Sequence, residues 1–140
     1  MQDARQKRTY DLEALEKQIA ALLEASREGA AIIVEGQRDE RALRALGATG
    51  PIIMASRRPA LDLAEDAARR YKEIVILTDW DLKGEEMARI MEQMLLHTPS
   101  HVDMEIRERL KKLVRKEIKD VESLSIYVER MREMYGSKAV

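Results

Sequence analysis

Leu12, Leu15, Ile19, Leu22 and Leu23 recur at spacings of three and four, the period of an amphipathic helix. This predicts a helix over 11–28, stopped by Gly29. The pattern then changes. Ala30–Val34 is a continuous apolar run rich in β-branched residues, as in a strand buried on both faces. Pro51–Ala55 and Glu73–Leu77 repeat that character. Helical stretches separate the runs: Arg38–Leu46, closed by Gly47, and Pro59–Tyr71, where Pro59 suits a first helical turn. After Gly84, Met87, Ile90, Met91, Met94 and Leu95 mark one face of a helix that stops before Pro99. A brief strand over His101–Met104, a helix over 105–119 and a last helix over 123–135 complete the pattern.

Short apolar strands alternating with helices predict an α/β fold. Parallel strands need crossover connections, and those crossovers cover the sheet faces. We therefore expect a parallel, Rossmann-like sheet of about four strands with helices on both faces. The 140 residues suit one domain, with its core over about 29–105, an added helix over 11–28 and further helices over 105–135.

Composition narrows the chemistry. There are no cysteines, which removes disulfides, thiol catalysis, thiolate zinc sites and iron–sulfur clusters. The net charge is −1 although 36% of residues are charged, so an attraction to nucleic acid must be local. No apolar run approaches the roughly 18 residues of a spanning helix, and the first ten residues lack the apolar core of a leader. The expectation is a cytoplasmic protein without membrane contact.

In open parallel sheets, ligands bind beyond the carboxyl ends of the strands. Glu35 and Gly36 follow the first strand, with Asp39 a little further on. Ser56, Arg57 and Arg58 follow the second. Asp79, Asp81, Lys83 and Gly84 follow the third. Alone, an Asp-x-Asp after a strand is more often a turn or helix cap. Paired with Glu35 on a neighbouring strand, it becomes a cluster of like charges that a hard divalent cation would relieve. Mg²⁺ takes oxygen ligands, keeps several waters and commonly uses one or two carboxylates; Mn²⁺ is the alternative. Arg57, Arg58 and Lys83 would serve phosphate, and Gly36 and Gly84 would let backbone approach it closely. Asp39 fits a helix cap better than a metal-site role.

IIVEGQRDERAL (32–43) and VILTDWDLKGEEMA (75–88) together resemble the Toprim domain of topoisomerases, bacterial-type primases, recombination-associated proteins and small nucleases. Its hallmarks are a glutamate after the first strand and Asp-x-Asp after the third. The resemblance implies that Asp79 and Asp81 hold Mg²⁺, with Glu35 as metal ligand or as general acid or base in phosphodiester chemistry. The chain is also similar in size to small stand-alone Toprim proteins of archaea, related to ribonuclease M5. That group carries an Asp-x-x-Val-Glu-like element after the domain, which Asp120-Val121-Glu122 approximates. The chain has no room for a topoisomerase's separate tyrosine domain and lacks a primase's zinc-binding cysteines. A P-loop is excluded because no Gly-x-x-x-x-Gly-Lys-[Ser/Thr] stretch occurs. A receiver-like or phosphatase fold would place its acting Asp after the first strand, where Glu35 stands.

Two further features bear on partners. Within 105–119, Lys112, Arg115, Lys116 and Lys119 fall opposite the apolar face of the expected helix, a stripe suited to a phosphate backbone or to ordinary solvated Glu–Lys pairing. Glu117 falls on the apolar side, so that helix should bend or end nearby. With no Phe and one Trp, no base-stacking platform is expected; Trp80 should pack beneath its loop. His97 and His101 straddle Pro99 and read as loop residues. Two functional readings follow: a metal-dependent nuclease acting on RNA or DNA, and a non-catalytic nucleic-acid-binding or scaffold protein working with protein partners in RNA or DNA processing.

Overall fold

The computed structural model describes residues 4–136. Four parallel strands, β1 (Ala31–Val34), β2 (Ile52–Met54), β3 (Glu73–Ile76) and β4 (His101–Asp103), form one sheet in the order β2-β1-β3-β4. Ile32 registers with both Ile52 and Val75, and Ile74 with Val102. This order places β1 and β3 at the centre. β1 is buried throughout, while β2 is half-buried because it lies at an edge. The brief fourth strand is present, so His101 opens β4 rather than lying in a loop; its Nδ1 sits 2.7 Å from Glu73.

Six α-helices surround the sheet among the described residues: α1 (Ala4–Arg27), α2 (Gln37–Leu46), α3 (Ala60–Arg70), α4 (Leu82–Leu96), α5 (Glu105–Val114) and α6 (Leu124–Tyr135). Gly29 follows α1 and Gly47 follows α2, both at positive φ, the left-handed geometry that ends helices cheaply only with glycine. Side chains alternate across the strands. Ile32, Val34, Val75 and Leu77 pack with Leu15, Ile19 and Leu22 of α1, Leu43 of α2, Leu110 of α5 and Val128 of α6. Ile33, Ile74 and Ile76 face Leu63, Ala64 and Ala67 of α3 and Ala88, Met91 and Leu95 of α4. Each of the buried strand isoleucines stabilises the fold by about 1.5–3 kcal/mol relative to exposure.

Two boundaries depart from the sequence reading. α1 begins at Ala4, not near 11. Its first turns carry no apolar stripe, but distant partners hold α1: Arg8 pairs with Glu117 at 3.0 Å, and Arg132 of α6 grips Glu16 at 2.7 Å. α5 ends at Val114 instead of running to 119. The chain turns there because Ile118, Lys119 and Val121 bond to the loop after β3. The four cations expected on one helical face therefore do not share one. Lys112 lies on α5, Arg115 caps it, and Lys116 and Lys119 belong to the following turn. All four are exposed, and none makes an ion pair among the described residues. No helix of the described residues is long and apolar enough to cross a membrane.

Candidate metal centre

α2, which follows β1, lies on one face of the sheet, and α4, which follows β3, lies on the other. The chain thus leaves β1 and β3 in opposite directions, and a crevice opens between their carboxyl ends. Glu35 and Asp79 flank that crevice. The Asp79 N–H donates to Glu35 Oε2 at 2.8 Å, which ties the two motif halves together. Asp79 is half-buried, and its Oδ1 accepts the Val121 N–H at 2.8 Å. Burial, above all, pushes the Asp79 carboxyl up to about 8; hydrogen bonding to Glu35 and repulsion from Asp39 and Glu35 add to it, against the Val121 bond. Asp39 is buried as well, and burial raises its carboxyl too.

The remaining carboxylates are engaged by backbone. Asp39 Oδ2 accepts the Gly36 N–H at 3.1 Å, the capping role expected of it. Asp81 Oδ1 accepts the Gly84 N–H at 2.7 Å and caps α4. Asp120 Oδ1 accepts the Ser123 N–H at 2.8 Å, and Glu122 lies 3.8 Å from Arg38. Among the described residues, no group of three His, Asp or Glu side chains is gathered as a ready metal cage. The donor set fits a hydrated hard cation held by one or two carboxylates. Glu35 and Asp79 would supply that pair.

The two glycines have different roles. A Cβ on Gly36 would meet its first neighbour, Ser56 Oγ, at 4.0 Å, so the backbone there stays open to a ligand. A Cβ on Gly84 would lie 1.9 Å from the Asp79 carbonyl oxygen. Gly84 is buried against the protein's own backbone, which gives glycine a structural reason at this position. Among the expected phosphate ligands, Arg58 turns onto α3, donating to Asp66 at 3.2 Å and to the Asp62 carbonyl. Arg57 and Lys83 remain exposed, with no ion pair among the described residues.

One functional side chain escaped the sequence reading. Arg107 is completely buried. It donates to the Thr78 carbonyl at 3.0 Å and the Asp79 carbonyl at 2.6 Å, and pairs with Glu85 and Glu108. Burial works to raise the Glu85 carboxyl, but hydrogen bonds from Lys111 and Arg107 outweigh it and hold it below its usual range. The available signal was spacing: Arg107, Leu110 and Val114 share the apolar stripe of α5. Trp80 is buried as expected, its indole N–H donating to the Ile118 carbonyl at 2.7 Å.

The Toprim domain family matches residues 30–123. The chain belongs to the Toprim family. Toprim domains bind divalent metal ions, typically Mg²⁺, and are associated with metal-dependent chemistry on nucleic acid. Among its relatives, a UPF0292 protein of Methanosarcina acetivorans is 38% identical over 125 residues, covering 89% of this chain and 87% of its own. A UPF0292 protein of Thermococcus gammatolerans is 48% identical over 109 residues, covering 77% and 81%. In structure, a protein from Aquifex aeolicus superposes with a TM-score of 0.67 at 29% identity, over 77% of this chain and 95% of that one.

Proposed function

We propose that the chain is a Mg²⁺-dependent nuclease of Toprim type, acting on RNA in the manner of ribonuclease M5. The observation that carries this reading is the contact at the crevice in which the Asp79 N–H donates to Glu35 Oε2 at 2.8 Å and brings the two acidic residues of adjacent strands together. Two acidic side chains brought to one crevice suit a hard cation better than they suit each other. Glu35 and Asp79 would hold Mg²⁺, with Asp81 at the rim. Bound there, the ion would supply Lewis acidity and charge neutralisation at a phosphoryl group.

The chain's own residues supply the rest. Glu35 accepts or donates the proton at the phosphodiester oxygen through the carboxylate oxygen not bonded to Asp79 N. Arg57 and Lys83, exposed beside the crevice, orient the phosphate. Arg107 holds the carbonyls of Thr78 and Asp79 and so keeps the Asp79 side chain aimed. The non-catalytic alternative draws support from the backbone bonds that already engage Asp39, Asp81 and Asp120.

The test is cleavage of structured ribosomal-type RNA precursors, single-stranded DNA and duplex DNA by the purified chain with Mg²⁺ or Mn²⁺. Cleavage should stop with EDTA. It should fall at least about a hundredfold in Glu35→Gln and Asp79→Asn. Absence of cleavage on every substrate, with binding indifferent to EDTA, would replace this reading with the scaffold one.

A further inference from the structure

A nuclease site needs a place for bases as well as phosphate, and the usual aromatic platform is lacking. The chain has one Trp and no Phe, and Trp80 is buried with its N–H committed to Ile118. On the α3/α4 face of the crevice, a cavity of about 260 Å³ is lined by Ala60, Lys83, Glu86, Met87, Ile90 and Met91. Its last wall is Ala55, the residue before Ser56, whose N–H donates to the Glu35 carbonyl at 3.0 Å. Lys83 lies two positions beyond Asp81, so their Cα atoms are within about 7.6 Å. The cavity's lining therefore comes within two residues of Asp81 and one of Ser56.

Its chemistry is that of a small flat ring with a polar edge. The volume falls below the roughly 300–1,000 Å³ of drug-sized pockets. Met87, Ile90 and Met91 give an apolar wall, and methionine sulfur makes favourable contacts with aromatic rings while adapting to their shape. Lys83 and Glu86 are one donor and one acceptor three residues apart on α4, a complement to the hydrogen-bonding edge of a base. Ile90 is 37% exposed, so this apolar wall is open to solvent.

The other concavities fit less well. The groove between α1 and α6, lined by Thr9, Glu13 and Tyr135 among others, involves none of the strand ends. The hollow beside Glu117 and Glu122 sets those two carboxylates against a single cation, Arg130, and involves none of the strand ends. The hollow at Arg38 and Arg41 has a single alanine as its apolar lining.

We propose that the Ala60–Met87–Ile90 cavity is a nucleobase subsite, taking the base next to the phosphate at Glu35 and Asp79. It rests on the nucleic-acid reading above. The test is methyl-labelled methionine NMR on the intact chain, titrated with nucleoside 5′-monophosphates and, separately, with ribose 5-phosphate. The Met87 and Met91 methyl signals should shift saturably with the nucleotides and stay still with the sugar phosphate. Ala60→Trp, which fills the cavity, and Ile90→Ser, which removes part of its wall, should each weaken that saturation by about tenfold. Signals from Met54 and Met131, outside the cavity, report whether the variants fold.

Equal shifts with ribose 5-phosphate, no shift up to about 10 mM nucleotide, or unchanged saturation in both folded variants would each overturn the subsite. Cleavage is read independently. Nucleotide-specific shifts without any cleavage would keep the subsite and remove the nuclease; cleavage without the shifts would do the reverse.

Discussion

The two halves of the Toprim motif lie side by side yet are built in opposite ways. The end of β1 is open: Glu35 and Gly36 are half-exposed, and a Gly36 Cβ would meet nothing closer than Ser56 Oγ at 4.0 Å. The end of β3 is knitted on every side. Thr78 donates to the Gly84 carbonyl at 2.8 Å, Arg107 holds the carbonyls of Thr78 and Asp79, Trp80 bonds the turn after α5, and Val121 donates to Asp79. The asymmetry suits a division of labour. A metal ligand works best held fixed by its surroundings, while a proton-transferring carboxylate needs free approach by the substrate.

The comparison breaks most severely at Arg107. Replacing it with Met leaves the Thr78 and Asp79 carbonyls without their shared donor, while Glu85 keeps Lys111. Removing one member of a buried charged network typically costs about 3–5 kcal/mol. Urea unfolding of Arg107→Met should show a loss of that size, and Arg107→Lys a smaller one. A loss below about 1 kcal/mol would mean that α5 does not brace the loop.

Gly84→Ala comes next. The added methyl would lie 1.9 Å from the Asp79 carbonyl oxygen, an atom of backbone that cannot swing aside. Either α4 or the β3 loop must shift, at a cost of about 3 kcal/mol, the upper range for overpacking. The substitution should also abolish Mg²⁺ binding, since it displaces Asp79 itself. Wild-type stability in this variant would show that the close approach is not needed.

These two residues also mark where sequence stops being informative. The strands, the crossover helices and the convergence of Glu35 with Asp79 are legible, because burial imposes periods of two and 3.6 and parallel topology collects strand ends. Arg107 is not, since a lone charge on an apolar stripe resembles a helix boundary until its partners, Thr78 and Asp79, are known. The early end of α5 is hidden for the same reason: the turn after Val114 is fixed by bonds to Trp80 and Asp79, well over thirty residues away in sequence. Gly84 offers a subtler case. Its identity is correctly singled out, but the backbone it makes room for is the protein's own.

The coupling between the two halves can be read through pH. Without metal, folded Asp79 keeps its proton to about pH 8, whereas in the unfolded chain it releases it near the ordinary value of about 3.9. Between those limits the folded state binds the extra proton. This group's contribution therefore declines as pH rises from about 4 to about 8. Mg²⁺ held at Asp79, as proposed, would compete with that proton, so thermal stabilisation by Mg²⁺ should grow over the upper part of the range. At ten times the dissociation constant it would reach about 1.4 kcal/mol. Thermal unfolding at several pH values, with and without Mg²⁺, measures both trends. Asp79→Asn should flatten both, and a Mg²⁺ effect that weakened with rising pH would contradict the competition.

The smallest expected change in stability falls on the open half, and it sharpens the comparison most. Gly36 has φ −152° and ψ −174°, extended backbone that any residue adopts, and an added methyl meets nothing closer than 4.0 Å. Gly36→Ala should leave stability within about 0.5 kcal/mol, because less unfolded-chain freedom offsets any minor crowding. If the crevice receives a phosphate against this backbone, the same methyl stands in its path. Substrate binding should then weaken while the fold and Mg²⁺ affinity stay unchanged. Cleavage rates measured against substrate concentration separate these effects: a raised KM with an unaltered melting curve places the substrate at Gly36, whereas unchanged kinetics would move its approach to the Lys83 side.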